Sequence, residues 1–276
     1  MTKRVGLIGW PVEHSISPAM HNAAFRALGM DDEWEYDTMA IPPDIGHMGV
    51  REPMRHGYIG VNVTVPHKET AMKYVRPDDL ARAVGAVNTV RFTDMLGTNT
   101  DVTGFIGDLN AHDVALDGIN ALVLGAGGAA RAAVFGLKRA GANVMVVNRT
   151  RERAAQMLTD LTMSAGVKDV QLKTLDEAVE GSLDLIVNAT SAGMWPHVDA
   201  SPWITGVPFP QGVTVYDMVY RPAKTTLMGQ CEAAGGRAIG GLGMLVRQGA
   251  AAFEVFTGVE PPIDVMFDAA RDALRD

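Results

Sequence analysis

The chain has 276 residues, a formal net charge of −8 at pH 7, 47% hydrophobic and 20% charged residues, a composition with room for two domains, each with its own core. The acidic balance argues against nucleic acid as a partner, because phosphate contacts need clustered Lys and Arg. The single cysteine, Cys231, excludes an internal disulfide and a thiolate metal cluster, and no run approaches the roughly 18 apolar residues of a membrane span.

After Lys3 and Arg4 the apolar run is soon broken by Gly9, Trp10, Pro11 and Glu13, so no signal peptide is expected and a cytoplasmic protein is. In chain order, VGLIG (5–9), WEYDTM (34–39), YIGVNVTV (58–65) and VNTVRF (87–92) read as strands. In the third of these Val61, Val63 and Val65 alternate with polar residues, the period of a strand with one buried face. Between the strands, Pro18–Leu28 and Lys68–Tyr74 read as helices, the first with Ser17 as N-cap and Pro18 at the first helical position. A second series begins with NALVLG (120–125) and continues through NVMVVN (143–148), LDLIVNAT (183–190), VTVYDM (213–218) and RAIGG (237–241). Helices are expected at Ala129–Arg139, Glu152–Met163 and Thr225–Ala234, the last with Cys231 buried in it. In GLGMLVRQGAAAFEVF, Leu242, Leu245, Val246, Gly249, Phe253 and Phe256 recur at helical spacing with Gln248 on the flank, and a last helix follows Pro261-Pro262. Such alternation means an α/β fold with parallel strands and crossover helices. The two series join in the segment Asp101–His112, itself read as helical.

The strand at 120–125 runs into Gly125-Ala126-Gly127-Gly128-Ala129-Ala130, which opens a helix and fits G-x-G-x-x-A. Glycines there permit a tight turn and let the backbone approach a pyrophosphate at the helix N-terminus. About 20 residues on, sites for NAD place an acid on the ribose hydroxyl. This chain has Asn148-Arg149-Thr150 instead, with Arg153 one turn into the next helix. Two guanidinium groups suit a 2′-phosphate that an acid would repel, so NADP(H) is expected rather than NAD(H).

A nicotinamide cofactor carries out hydride chemistry, while the protein supplies orientation and a proton donor or acceptor. Lys68, delivered at the end of NVTVPHK (62–68), reads as a surface charge, a phosphate clamp or that proton-transfer group; Asp101 in GTNTDVTG (97–104) is the other candidate. A neighbouring carboxylate favours the charged amine, desolvation favours the neutral one, and a tight pair titrates as a unit. His14, His21 and His67 lack the i,i+4 spacing of a helical ligand pair, and no metal site is expected. His67 should point away from Lys68 if strand geometry persists between them.

Taken together, HSISP (14–18), NVTVPHK (62–68), GAVNTV (85–90), GTNTD (97–101), LGAGGAARA (124–132), NRT (148–150), NATSAGM (188–194) and DMVYRP (217–222) resemble the shikimate dehydrogenase family, in this order over nearly the whole chain. The resemblance implies an N-terminal α/β substrate-binding domain, 1–101, completed by C-terminal helices, 242–276, that return to it. A Rossmann-fold NADP-binding domain, 102–241, lies between. It implies reversible NADPH-dependent reduction of 3-dehydroshikimate to shikimate, a step of aromatic amino acid biosynthesis, with Lys68 and Asp101 as the catalytic pair. Ser15 and Ser17 resemble the hydroxyls that bond the substrate carboxylate; Thr64, Asn88, Tyr220 and Gln248 resemble those that hold its ring hydroxyls. Thr190, Met218 and Gly241 would lie at the nicotinamide end of the cofactor. The chain departs from the pattern at TDMLGTNTD, which lacks an Asp-Gly turn, and over 39–56, with Pro42-Pro43.

The rival readings are a quinate/shikimate or aminoshikimate dehydrogenase with the same machinery, and, of another class, a non-catalytic NADP(H)-binding sensor. A sensor would be expected to have lost Lys68, Asp101 or Gln248, and all three are present. A methylenetetrahydrofolate dehydrogenase would share the glycine loop but neither HSISP nor GTNTD. The expected partner is a small-molecule substrate, with no nucleic acid and no membrane; monomer and homodimer both stay open.

Overall fold

In the computed structural model, which describes residues 2–45 and 49–275, the chain divides into two units, residues 1–104 with 246–276, and residues 105–245. Of the divergent stretch 39–56, residues 46–48 lie outside the described residues. No helix among the described residues is long and apolar enough to cross a membrane.

The first unit is built on a six-stranded mixed sheet in the order β2-β1-β3-β5-β6-β4. Its strands are β1 (Lys3–Gly9), β2 (Trp34–Ala40), β3 (Tyr58–Val63), β4 (Arg76–Pro77), β5 (Thr89–Arg91) and β6 (Leu96–Thr98). β1 runs parallel to β2 and β3, while β5 and β6 form an antiparallel pair against β3. The helix Ser17–Ala27 buries Ser17, Met20, His21, Ala24 and Phe25, a stripe at helical spacing. Its Asn22 side chain bonds both the N–H (2.9 Å) and the carbonyl (2.7 Å) of Tyr36. Those backbone groups would otherwise be open on an edge strand. The helix Ile263–Ala273 packs on Ser17–Ala27, and Phe253 of the helix Leu242–Thr257 packs on Phe25 at 4.8 Å, so the C-terminal residues complete the first core.

Four local expectations are corrected here. Ser17 is not an N-cap: the helix starts at Ser17, Ile16 precedes it without a side-chain cap bond, and the Ser15 hydroxyl accepts the Ser17 N–H at 3.2 Å. The strand expected to reach 65 ends at Val63, because the chain turns there, with His67 N–H bonding Thr64 O at 2.9 Å, and Val65 is left 65% exposed. Asn62, read as pointing outward, is buried, because β3 is covered on both faces. The helix expected over 68–74 is one turn, Lys68–Ala71, after which i,i+3 bonds from Lys73 and Tyr74 lead the chain off to β4. The β5–β6 turn without Asp-Gly closes with Met95 at φ +56, the left-handed backbone that glycine or asparagine usually supplies.

The second unit holds six parallel strands in the order β12-β11-β10-β7-β8-β9. They are β7 (Asn120–Leu124), β8 (Asn143–Val147), β9 (Val170–Leu172), β10 (Leu185–Asn188), β11 (Thr214–Asp217) and β12 (Arg237–Gly240). All four residues of β10 are buried and so are four of the five in β7, as befits strands covered by helices on both faces. From the first strand, β7, the chain fills one side through β8 and β9, then returns to fill the other. That is the doubly wound dinucleotide-binding order, and β7/β10 is the switch point outside which ligands bind. Cys231 is buried in the helix Thr226–Ala233, which raises its thiol above the ordinary range.

His21, 1% exposed and stacked on Tyr36 at 4.1 Å, has its pKa lowered by burial from 6.5 to about 3. Above about pH 6.5 the ring is neutral whether folded or unfolded; below it, down to about pH 3, only the unfolded chain takes the proton, so stability falls with acid. Denaturant titrations between pH 7 and 4 should show a loss approaching about 1.4 kcal/mol per pH unit from this residue. His21→Gln should flatten the slope; an unchanged slope would mean that the ring is not kept neutral.

Candidate active site

At the end of β3 in the first unit the chain turns through Thr64–His67, and the turn sends neighbouring side chains opposite ways. His67 is buried with Nε2 2.7 Å from the Ile41 carbonyl, while Lys68 opens a short helix and extends its Nζ to 2.6 Å from Asp101 Oδ2. Both charges are largely removed from water, with side chains 15% and 5% exposed. The Lys68 carbonyl is itself held by the Val87 N–H at 2.8 Å.

Asp101 stands in the first turn of the helix Thr100–Ala111, where the unpaired N–H groups of the helix start favour a carboxylate. Asn99, fully buried, acts as the cap: its Oδ1 accepts the Asp101 N–H at 3.1 Å and its Nδ2 donates to Ala86 O at 2.9 Å. Asp101 Oδ1 receives Asn88 Nδ2 at 2.9 Å. That same Nδ2 also lies 2.9 Å from Thr100 Oγ1 and 3.2 Å from Gln248 Oε1, so its two protons face three acceptors. Asn88 Oδ1 accepts from the Thr100 N–H at 2.8 Å and from the Thr89 hydroxyl at 3.1 Å. A buried chain continues from Thr89 through Asn62 to the Tyr36 hydroxyl, which is also within reach of Ser17. Ser15 donates to Ser17 Oγ at 3.2 Å, which puts two hydroxyls side by side. Thr64 is half-buried beside Gly9, where a Cβ would strike the Thr64 methyl.

In the second unit, the loop Gly125–Ala130 leaves β7 for the 12-residue helix Gly128–Arg139. Gly125 has φ +121, and a Cβ there would sit 3.0 Å from the Ala189 carbonyl, so the turn after β7 takes only glycine. Gly127 caps the helix in extended conformation with no side chain over the first N–H groups, and Gly127, Gly128 and Ala129 are half-exposed, whereas Ala126 and Ala130 are buried. The Arg153 guanidinium reaches to 3.9 Å from where a Gly127 Cβ would stand. Asn148 closes the end of β8 by donating to Thr150 O at 2.7 Å, leaving Arg149 and Thr150 exposed. An open helix start with arginine beside it fits a phosphate-bearing dinucleotide. Arg131 and Asp160, paired at 2.6 Å, tie this helix to Arg151–Ala165, which carries Arg153, and the ion pair holds the Asp160 carboxyl below its usual range.

Thr190, Met218 and Gly241 gather at the carboxyl ends of β10, β11 and β12. Thr190 is tied to Asn188 Oδ1, Met218 N–H bonds Asn188 O at 3.0 Å, and Gly241 N–H bonds Val219 O at 3.2 Å. A Cβ on Gly241 would collide with the main chain of Met218. Tyr220 lies in this unit too, three residues after the end of β11, while Lys68, Asp101, Ser15, Ser17, Thr64, Asn88 and Gln248 lie in the first. The residue-by-residue reading passed over Asn62, Thr89, Asn99, Thr100, Asn188 and Asp217. All are buried and polar at strand or helix ends, and the available signal was a polar residue inside or just after an apolar run.

The chain matches three family descriptions: the shikimate dehydrogenase substrate binding domain over residues 7–90, shikimate / quinate 5-dehydrogenase over 109–196, and the shikimate 5′-dehydrogenase C-terminal domain over 241–271. The shikimate dehydrogenase (NADP(+)) of Methanocella arvoryzae is 43% identical over 270 residues, 98% of this chain and 98% of that protein. The corresponding protein of Methanopyrus kandleri is 43% identical, over 99% of this chain and 97% of its own. Among solved structures, shikimate 5-dehydrogenase from Thermus thermophilus, in complex with NADP(H) and shikimate, is 38% identical, with TM-score 0.86 over 99% of this chain and 100% of that one. Two sheets of this order, a glycine cradle and a near-dry lysine–aspartate pair thus accompany sequence identity along the full length of known relatives, and the chain belongs to the shikimate dehydrogenase family.

Proposed function

We propose that the protein catalyses the reversible NADPH-dependent reduction of 3-dehydroshikimate to shikimate, with Lys68 and Asp101 as its acid/base pair, as a step of aromatic amino acid biosynthesis. The observation that carries this reading is the Lys68–Asp101 contact at 2.6 Å, nearly excluded from water and bordered by neutral amides and hydroxyls. In the roles proposed for the two parts of the chain, residues 1–101 with 242–276 take the substrate and 102–241 take the dinucleotide.

When bound, NADPH supplies the hydride. The chain's own part is to hold the substrate and to move one proton. Lys68 as ammonium donates a proton to the keto oxygen as it becomes a hydroxyl, and in the reverse direction its neutral amine takes that proton back. Asp101 Oδ2 holds Nζ in place and balances its charge, while Asn88 and the start of the helix hold the carboxylate. Asn88, Thr100 and Gln248 border the pair with neutral amides and a hydroxyl, the donor and acceptor types that suit a polyhydroxylated ligand. Ser15 and Ser17 offer two hydroxyls to its carboxylate, and Thr64 and Tyr220 are further hydroxyls for the ring.

The cofactor residues are Gly125, Ala126, Gly127, Gly128, Ala129 and Ala130 for the pyrophosphate, and Asn148, Arg149, Thr150 and Arg153 for the 2′-phosphate. Thr190, Met218 and Gly241 serve the nicotinamide end. The absence of any acid at 148–150 favours NADPH over NADH.

The test is nicotinamide absorbance with purified protein, shikimate or quinate, and NADP⁺ or NAD⁺. Turnover confined to shikimate with NADP⁺ is the expected result. Equal turnover with quinate would widen the substrate class, and no turnover with either acid would overturn the reading. Lys68→Ala should lower kcat by about 10²–10⁴-fold, the usual worth of a general acid, with NADPH affinity unchanged by fluorescence titration. Arg149→Ala should weaken NADPH by about 10–100-fold, as for loss of a hydrogen bond to a charged group, and leave NADH unaffected; equal weakening of both would remove Arg149 from the 2′-phosphate.

A further inference from the structure

Asp217 ends β11 with no exposure to water, directly across the ladder from Asn188 at the end of β10, which is equally buried. The reaction gives this charge no task. Its Oδ1 accepts from Asn188 Nδ2 at 2.9 Å and from the Val219 N–H at 3.0 Å; its Oδ2 accepts from the Thr225 hydroxyl at 2.6 Å. Asn188 passes the constraint on: its Oδ1 accepts the Thr190 N–H at 3.0 Å and the Thr190 hydroxyl at 2.7 Å. Its Nδ2 also donates to Ala192 O at 3.2 Å, and Thr190 Oγ1 accepts the Ala192 N–H at 3.1 Å. On the other side, Val219 O receives the Gly241 N–H, and Asn188 O receives the Met218 N–H. Thr225 in turn caps the helix Thr226–Ala233 through the Met228 N–H.

A buried carboxylate is costly unless donors converge on it. Desolvation raises the Asp217 pKa and the three donors oppose that rise. A hydrophobic side chain could fill this space, but it could not hold three loops in register. Thr190, Met218 and Gly241, the three residues read as the nicotinamide end of the site, each stand within a few hydrogen bonds of this one group. The 2′-phosphate arginines do not: they follow β8, two strands away from β10.

We propose that Asp217, acting through Asn188, is a positioning residue that sets Thr190, Met218 and Gly241 for the nicotinamide half of the cofactor and leaves the adenosine half untouched. The proposal rests on the functional reading above and deepens it. The residue touches neither substrate nor cofactor; it fixes the backbone that does.

The test compares two probes on the full chain. 2′,5′-ADP reports the adenosine-phosphate half alone, and NADPH reports both halves. In Asp217→Ala the affinity for 2′,5′-ADP should stay within about twofold of wild type, while NADPH should weaken by about tenfold or more, the loss expected when a buried charge-assisted network is cut. With shikimate and NADP⁺, kcat should fall in parallel and the KM for shikimate should hold. Asp217→Asn keeps Oδ1 for Asn188 and Val219 and can turn its amide to Thr225, so it should restore most of the NADPH affinity. A general loss of packing would lower both affinities together and would not be rescued by asparagine; that outcome overturns the proposal, as does an Asp217→Ala protein that binds NADPH like wild type. Should Asp217→Ala fail to fold, Asn188→Ser, too short to bridge Asp217 and Thr190, carries the same comparison with the same two outcomes. A wild-type protein inert toward shikimate would overturn the functional reading alone, because the two binding affinities need no turnover.

Discussion

Two opposite charges 2.6 Å apart and almost out of water set the terms for the first unit. Such a pair is tolerated only where other hydrogen bonds replace the lost hydration. Asp101 therefore lies at a helix start, capped by Asn99 and bonded by Asn88, and Lys68 sits on a turn pinned by Val87. Asn88 can serve Asp101 only because its carbonyl oxygen is held by Thr100 and Thr89, and Thr89 only because Asn62 and Tyr36 stand behind it. The polar chain is a scaffold for one carboxylate. Its cost in desolvation explains why so many polar residues occupy what would otherwise be apolar core.

The second unit answers a different demand, a tight turn from strand to helix that leaves the backbone of the helix start bare. Glycine at Gly125 removes the side chain that would meet the Ala189 carbonyl, and Gly127 leaves the helix start without a side chain over it. The parallel sheet places the ends of β7 and β10 side by side at the switch point, so that the Gly125 turn meets Ala189 and Thr190. Asp217 and Asn188 fasten the other side of that opening. Both units thus use a buried carboxylate as a hub, one paired with a cation and the other only with neutral donors.

The elements came through unevenly in the amino-acid order. Five of the six strands of the second series were legible because fully buried parallel strands are continuous apolar runs, and NALVLG and LDLIVNAT are such runs. In the first unit Val61, Val63 and Val65 suggested a one-sided strand through 65, yet Asn62 is buried and Val65 faces solvent. Periodicity reports the average environment of a segment and cannot show where a turn interrupts it. β4, β6 and β9 escaped notice because two or three residues carry no period at all. Ser17 looked like a cap by residue type, but the helix already begins at Ser17 and the hydroxyl that accepts its N–H belongs to Ser15.

What the sequence determined by itself was chemistry held in residue identity: the glycine cradle, arginines where an acid would exclude a 2′-phosphate, a lysine a short turn beyond a strand and an aspartate opening a helix. These follow from local rules of backbone and charge that hold wherever the segment ends up. Only the tertiary structure decided which polar groups meet. That Lys68 touches Asp101, that Asn88 faces three acceptors with two protons, and that Asp217 gathers the ends of β10 and β11 all depend on contacts between residues far apart in the chain. Hydrogen bonds act over about 3 Å, and only the folded chain brings their partners that close.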